Sequence, residues 1–169
     1  QDAALVMPVF FENEIIAYTA IKAHWLDIAG KEPYSTDTVD VFQEGTVYPG
    51  VKLFSKGELV EDIYKMCLAN TRVPNSVAGD INAQAIGVKA GATALKRIVS
   101  KYGLTTFREA SEEIFDAGEM IVRNYLKKIP NGEYSGSGQM DSNGVEEGLV
   151  PFDLKVIIED EKVILDMSN

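Results

Sequence analysis

Apolar residues dominate two short stretches near the beginning of the chain. Residues 4–11 and 15–23 are rich in Ala, Val, Ile and aromatic side chains, and the polar residues 12–14 separate them. Two β-prone stretches joined by a short polar turn predict an antiparallel hairpin. Pro8 cannot donate a hydrogen bond to a neighbouring strand, so it suits an edge position or a bulge.

Residues 27–50 show neither helical nor alternating periodicity. Glycine and proline interrupt this segment repeatedly, and five acidic residues supply charge. A structureless segment of this length inside a compact domain is unusual and tends to have a functional role. We expect residues 51–54 to end it as a short strand.

Three later stretches have helical spacing of their apolar residues. They predict helices over residues 58–70, from Ser76 to Gly103, and from Thr106 to a break at residues 130–132. The second helix has a sustained seam formed by Ile81, Ala85, Val88, Ala92, Leu95, Val99 and Tyr102. The third has one apolar face formed by Phe107, Ala110, Ile114, Ala117, Ile121 and Tyr125.

Local signals refine the two long helices. Gly87 and Gly91 lower helix propensity beside the seam, so we infer that another backbone comes close there. Gly103 is a suitable C-cap, and residues 106–109 match a capping box at the next helix start. The very short connection between these helices predicts an antiparallel helical hairpin.

The C-terminal part has the alternating pattern of strands. Residues 133–140, 152–158 and 162–167 are expected to be strands, and the acidic segment 141–148 is expected to be a loop. Strands, then helices, then strands predict an α+β fold. We therefore expect residues 1–169 to form a single α+β segment, with an N-terminal β-hairpin and long loop, the helical hairpin, and C-terminal antiparallel strands.

Composition and charge narrow the function classes. The net charge is −10, from 26 acidic and 16 basic residues. Such a balance argues against binding nucleic acid or anionic membranes, because both need a basic surface. The single cysteine, Cys67, permits no internal disulfide, and its apolar neighbours predict burial, which together favour a reducing, cytoplasmic location. The chain begins with an apolar strand and no Met, so we expect a piece of a longer protein.

Asp2 and His24 are the first candidate site residues. In a hairpin that turns near Asn13, paired positions add up to about 26, so these two residues should face each other. A carboxylate beside an imidazole can ligate a divalent metal, act as an acid/base pair, or form a structural hydrogen bond. The residues alone favour the structural hydrogen bond, because a metal site needs a third ligand. Asp27 lies three residues beyond His24 and could supply it.

Two other polar groups have alternative interpretations. Asp37, Asp40 and Glu44, with neighbouring hydroxyl groups, could bind a cation, although a solvated acidic loop is the simpler interpretation. Asp80 and Gln84 lie one helical turn apart and could act together, or they could lie on an exposed helix face.

The motifs taken together resemble the hydantoinase B/oxoprolinase family. The resemblance rests on the segments AHWLDIAGKEPYSTDTVDVFQEGTVYPGVKLFSKGELVEDI and LANTRVPNSVAGDINAQ, and it covers the whole chain in consistent order. Its most specific cues are His24 with Asp27-x-x-Gly30, residues 43–45 (Gln-Glu-Gly), and Gly79-Asp80-x-x-Ala83-Gln84. The family includes B-type components of N-methylhydantoinases and α-type components of acetone carboxylase.

The resemblance implies an ATP-dependent enzyme component. An A-type subunit would use ATP to activate a small-molecule substrate, and the B-type part would hydrolyse a cyclic amide or carboxylate a ketone within a hetero-oligomer. In carboxylase-like members a divalent metal such as Mn or Zn lies on a His-x-x-Asp pair plus a later His. Asp2 matches the Asp and His24 the later His, while the first His would precede Gln1. The alternative is a non-catalytic fragment in which the helix pair docks a partner subunit.

Overall fold

The structure, a computed structural model, describes residues 2–33 and 35–168. The chain forms two compact units, Gln1–Ser100 and Lys101–Asn169. Within the described residues, antiparallel strands flank three α-helices in sequence, which confirms the predicted α+β class.

The first unit begins with the predicted hairpin. β1 (Asp2–Phe11) pairs antiparallel with β2 (Glu14–His24), and paired positions add up to 26 from Asp2↔His24 to Val9↔Ala17. A bulge follows Val9. Pro8 lies in a two-stranded ladder, where each strand has an open edge that tolerates the missing N–H group.

A short β-ladder shifts the start of the first helix. β3 (Phe54–Ser55) pairs with β4 (Glu58–Leu59) around a turn in which Lys56 and Gly57 both have positive φ. α1 (Glu61–Ala69) therefore begins three residues later than Glu58, the predicted start. The predicted helix start was wrong because residues 58–59 pair with β3.

The second helix, α2 (Pro74–Tyr102), begins two residues earlier than predicted and ends where expected, before Gly103 with φ 85°. Proline suits the first helical turn, where its missing N–H group has no helical partner to lose. The predicted seam is largely confirmed, since Ile81, Ala85, Val88, Ala92 and Val99 are buried. Leu95 is half-buried and Tyr102 is exposed.

The core of the first unit lies between the hairpin, the loop and the helices. Trp25, Leu53, Cys67, Val77 and Ile81 form its buried cluster. Ala3, Leu5 and Ala23 of the hairpin pack against this cluster. Cys67 is buried as predicted, and burial raises the pKa of its thiol.

The two helix glycines permit close packing against β2. A Cβ atom at Gly87 would overlap Cδ1 of Ile21, and one at Gly91 would lie 3.0 Å from Cγ2 of Thr19. The Thr19 hydroxyl also donates a hydrogen bond to the Val88 carbonyl at 2.9 Å. Close approach was predicted correctly, but side chains of β2 make it, and the expected second backbone does not. Because β2 fills this groove, the glycines do not provide a docking surface for another subunit.

The second unit contains α3 (Leu104–Leu126), β5 (Gly132–Met140), β6 (Val150–Glu159) and β7 (Lys162–Asp166). The three strands form an antiparallel sheet in the order β5-β6-β7, as the alternating pattern predicted. The predicted capping box was wrong. Helix α3 begins at Leu104, so Thr106 lies inside it and Gly103 takes the N-cap position.

Helix α3 has the predicted apolar face, but its central residues are exposed. Ile114, Ile121 and Tyr125 are exposed, while Phe107 is half-buried. Of the helices in the described residues, none combines the length and the apolar character needed to cross a bilayer.

Candidate functional site

Asp2 and His24 meet at the open end of the hairpin. The His24 Nδ1 and Asp2 Oδ1 atoms are 3.1 Å apart, and the Lys22 Nζ atom is 2.6 Å from Asp2 Oδ2. The strand alternation places these three residues on the exposed face of the hairpin, opposite the residues that pack into the core. The Asp2 and His24 side chains are 44% and 45% exposed, so a solvent ion can reach both.

The protonation state of Asp2 suits a ligand. Hydrogen bonds from Lys22 first, and from His24 second, hold the pKa of the Asp2 carboxyl below its ordinary value. The carboxylate is therefore ionised at neutral pH, as a metal ligand must be. One oxygen and one nitrogen donor side by side fit two positions of a divalent transition-metal site. Residues 2–33 and 35–168 contain no group of three potential ligands, so these two positions are what the described chain offers.

Asp27 is not a third ligand but the centre of a buried ion pair. Its completely buried carboxylate accepts bonds from Arg72 Nη2 and the Arg72 backbone N–H, both at 2.5 Å, and from Arg72 Nε at 3.0 Å. The Ala29 N–H also donates to it at 3.2 Å. The Arg72 guanidinium holds the pKa of Asp27 well below its ordinary range. These contacts join the end of β2 to the segment that leads into α2.

Gln84 holds the residues next to the Asp2–His24 pair. Its side-chain N–H groups donate to the carbonyls of Ala3 and Ile21, each at 2.9 Å. Its carbonyl oxygen accepts from Trp25 Nε1 at 2.9 Å. Of the two alternatives left open by the sequence, the exposed helix face was wrong for Gln84, which is buried. Its amide bonds to these three groups. The sequence held a usable signal, because Gln84 lies three residues after Ile81 and four before Val88 on the buried seam.

Two parts of the long loop, residues 28–31 and 43–46, pack closely against each other, and a glycine in each part permits the approach. The Lys31 N–H donates to the Gln43 carbonyl and the Thr46 N–H to the Ile28 carbonyl, each at 2.8 Å. A Cβ atom at Gly45 would lie 2.5 Å from the Ile28 oxygen, and one at Gly30 would lie 3.0 Å from the Glu44 oxygen. The prediction of an irregular segment is confirmed, since the described part of residues 27–50 contains only the 3₁₀ turn Val41–Glu44 as regular structure.

Replacing Gly45 by Ala should loosen this loop. Gly45 has φ 112°, so the new side chain adds backbone strain of about 1–3 kcal/mol as well as the overlap with Ile28. Gly50→Ala is the matched control, because Gly50 has φ 73° but an added Cβ there meets no described atom within 4 Å. Urea denaturation should show a clearly larger loss of unfolding free energy for Gly45→Ala than for Gly50→Ala. Equal losses in the two variants would contradict the close backbone approach.

The acidic loop residues have separate partners within the chain. Asp37 contacts Lys31 Nζ at 2.5 Å, and Asp40 caps the 3₁₀ turn by accepting from the Phe42 N–H at 2.7 Å. Glu44 accepts a hydrogen bond from the Thr38 hydroxyl. With no ligand group of three in the described residues, the solvated-loop interpretation is favoured over a cation site.

A cavity of about 310 Å³ lies beside Asp2 in the first unit. The start of β1, the loop and the helices α1 and α2 all contribute to its wall. Trp25 and Tyr48 meet there edge-to-face, with ring centroids 5.9 Å apart. The candidate site therefore combines a half-exposed N/O donor pair with an adjoining concave surface.

Comparison with known proteins identifies the family. The hydantoinase B/oxoprolinase family model matches residues 1–169, so the chain belongs to that family. A protein of Pseudomonas sp. (strain NS671), described as the B-type component of a D-/L-hydantoinase, is 35% identical over 143 residues, covering 83% of this chain and 24% of that protein. The beta component of the caprolactamase of Pseudomonas jessenii is 32% identical over 145 residues, covering 85% and 25%. The chain thus spans about a quarter of these relatives' lengths.

Solved structures share the fold. The ATP-dependent caprolactamase of Pseudomonas jessenii matches with a TM-score of 0.90 and 27% identity, over 99% of this chain and 29% of that chain. A nucleotide-free acetone carboxylase matches with a TM-score of 0.87 and 18% identity, over 98% and 24%. The second likeness concerns the fold alone. The relatives include components of a hydantoinase and of an acetophenone carboxylase as well as the ATP-dependent caprolactamase. The match to the family model confirms the predicted family.

Proposed function

We propose that this chain is the metal-binding segment of a longer B-type subunit in an ATP-dependent cyclic amidohydrolase. In this proposal an A-type subunit uses ATP to activate the substrate, and the two subunits form a cytoplasmic hetero-oligomer. The single observation that carries the proposal is the pairing of Asp2 with His24 at 3.1 Å in a chain of this family. The relatives named for hydantoinase and caprolactamase activities favour amide hydrolysis over ketone carboxylation.

The roles of the three side chains follow from their chemistry. A bound divalent ion would polarise a substrate carbonyl and lower the pKa of a coordinated water. Asp2 would supply an ionised oxygen and His24 a ring nitrogen. Lys22 pairs with the second Asp2 oxygen and keeps the carboxylate oriented along the strand. Because Lys22 is cationic, its charge opposes a second cation at the same carboxylate.

The test is the metal affinity of the full-length subunit together with its A-type partner. His24→Ala should lower affinity for Mn²⁺ or Zn²⁺ by at least ~10–100-fold, since changes beyond the ligands themselves already have effects of that size. Amide hydrolysis should fall in parallel. Metal content after dialysis, measured by mass spectrometry, is the primary measurement.

Lys22→Met is the matched control, because Lys22 contacts the same carboxylate without offering a metal ligand at neutral pH. This variant should keep the metal or bind it more tightly, since a competing positive charge is removed. Unchanged metal content and turnover in His24→Ala would overturn the metal proposal.

A second candidate function is subunit interaction without chemistry. The exposed apolar residues of α3, among them Ile114, Ile121 and Tyr125, favour it, because large exposed apolar patches mark interaction surfaces. The close-packed stretch at Gly87 and Gly91 does not support it, because the side chains of Ile21 and Thr19 cover these glycines. Two results together would support this alternative. His24→Ala would change neither the metal content nor the turnover rate, and Ile121→Glu would abolish co-purification with the A-type subunit.

A further inference from the structure

The chain contains the dipeptide Asn-Gly twice, at residues 131–132 and 143–144, both in the second unit. An asparagine before glycine is chemically labile, because the next backbone nitrogen can attack the side-chain amide and glycine has no side chain to hinder the approach. Both asparagines are exposed, so water reaches each of them. Their hydrogen bonds and backbone positions differ, so the two sites need not react alike.

Asn131 is held at both ends of its side-chain amide. Its Nδ2 atom donates to Asp160 Oδ1 and its Oδ1 atom accepts from the Asp160 N–H, each at 2.8 Å. Gly132 is the first residue of β5 and pairs with Ile158 of β6, so the backbone that follows Asn131 belongs to a strand ladder. Attack of the Gly132 nitrogen on this amide would require both bonds to Asp160 to break and the end of the strand to rotate.

Asn143 lies in the loop between β5 and β6, where residues 141–149 form neither helix nor strand. Its Oδ1 atom accepts hydrogen bonds from the N–H groups of Val145 and Glu146, at 2.9 and 2.8 Å. Among the residues that the structure describes, none accepts a bond from the Asn143 Nδ2 group, in contrast to Asn131. The amide nitrogen of Asn143 can therefore leave without breaking a bond within the chain.

The hydrogen bonds around Asn143 also favour the first step of amide loss. When the Gly144 nitrogen attacks Cγ, negative charge develops on Oδ1, and the N–H groups of Val145 and Glu146 already donate to that oxygen. The Gly144 N–H donates to Ser142 Oγ at 2.9 Å, and this acceptor draws the proton away from the attacking nitrogen. The side-chain carbonyl and the attacking N–H group are therefore both polarised by their neighbours in the loop.

We propose that Asn143 is a site of spontaneous deamidation and that Asn131 is protected from this reaction. A bond forms between the Gly144 nitrogen and Cγ of Asn143, the Cγ–Nδ2 bond breaks, and the side-chain nitrogen leaves as ammonia with the proton released by Gly144. Water then opens the resulting succinimide at either carbonyl, which leaves aspartate or isoaspartate at position 143. Because the ammonia is lost, conversion increases with the age of the molecule and adds a negative charge near Glu146 and Glu147.

Peptide mass spectrometry of the full-length subunit tests the site. The folded protein is incubated at mildly alkaline pH, and the mass gain that marks conversion of an amide to a carboxyl is followed for both peptides. Asn143 should convert at least about tenfold faster than Asn131, a factor that corresponds to about 1.4 kcal/mol of activation free energy, which two hydrogen bonds can supply. Asn131 is the internal control, because it is also exposed and also precedes glycine. Equal rates in the folded protein, or a faster reaction at Asn131, would overturn the inference.

Two further measurements show whether the fold causes the difference in rate. In urea both dipeptides lose their contacts, so the two rates should become similar. A difference of the same size in urea would assign it to the local sequence and overturn the inference. Asp160→Gly removes the carboxylate that holds Asn131 and suits the φ of 54° at that position, so it should speed conversion at Asn131 and leave Asn143 unchanged. Unchanged conversion at Asn131 would contradict its protection by Asp160. Should Asp160→Gly fail to fold, the comparison with urea on the unmodified protein still decides.

Discussion

Replacing Arg72 by Met is expected to lower the free energy of unfolding by about 3–5 kcal/mol, because it leaves a buried charge without its partner. Asp27 is completely buried and accepts three hydrogen bonds from Arg72, including one from the backbone N–H. Arg72 itself is about half exposed, at 47%, so the loss arises mainly at Asp27. Urea denaturation of the protein at pH 7 measures the change.

Lys65→Met is the matched control for the same unit. Lys65 pairs with Glu61 one helical turn away at 2.9 Å, with both side chains well exposed. Removing an exposed pair of this kind changes stability by only about 0.3–0.5 kcal/mol. A loss for Arg72→Met as small as that for Lys65→Met would contradict the structural role of the Asp27–Arg72 pair.

The pH dependence of the free energy of unfolding, compared between the unmodified protein and Arg72→Met, gives an independent test. In the unmodified protein Arg72 lowers the pKa of Asp27, so the pair's contribution is complete above the ordinary Asp value of about 3.9 and is lost only as pH falls below it. In Arg72→Met burial instead favours the neutral carboxyl and raises its pKa. The difference in the free energy of unfolding between Arg72→Met and the unmodified protein should therefore become smaller as pH falls from about 7 to 5.

A double substitution isolates the buried charge. Asp27→Asn combined with Arg72→Met removes both charges while keeping a side-chain oxygen for the Ala29 N–H. This double variant should be more stable than Arg72→Met alone, because no unpaired carboxylate remains in the core. A double variant less stable than the single one would show that lost packing, and not lost charge, dominates.

The hairpin register could be predicted from the sequence because few local rules determine it. The short turn brings the two strands together, and the pairs from Val9↔Ala17 to Asp2↔His24 have the predicted sum of 26, although the bulge after Val9 shifts the two pairs next to the turn. Helix seams are predictable for a similar reason, since Ile81, Ala85 and Val88 repeat at helical spacing. The short ladder formed by β3 and β4 was missed, because two-residue strands carry almost no periodic signal.

The contacts that hold the site together could not be predicted in the same way. Asp27 and Arg72 lie 45 positions apart, and no local pattern relates them. The sequence marks Asp27 as acidic and near His24, which suggested that it could supply a third ligand. Its burial depends on how the loop and α2 pack, which is a property of the tertiary structure. The exposure of the apolar face of α3 could not be predicted for the same reason. Helical spacing predicts that a helix has an apolar face, but it does not show whether another element covers that face.

Gln84→Leu is expected to lower the free energy of unfolding by about 3–4 kcal/mol and to loosen the candidate site. The substitution removes partners from the Trp25 indole N–H and from the carbonyls of Ala3 and Ile21. The buried indole N–H left without a hydrogen bond costs about 1–3 kcal/mol, and the two half-buried carbonyls add to the loss, although water recovers a part of it. Because Ala3 follows Asp2 and Trp25 follows His24, the same bonds position both members of the donor pair.

Asn82→Leu and Gln84→Glu are the comparisons that make this prediction specific. Asn82 is exposed on the same helix, so its replacement should change stability by no more than about 0.5 kcal/mol. In Gln84→Glu an ionised carboxylate would face two carbonyl oxygens, so burial and repulsion raise its pKa, and stability should recover as pH falls and the carboxyl becomes a donor again. Urea denaturation of Gln84→Glu at several pH values between about 5 and 8 measures this recovery of stability. A Gln84→Leu variant as stable as Asn82→Leu, or a Gln84→Glu variant insensitive to pH, would show that Gln84 does not hold the hairpin, Trp25 and α2 together.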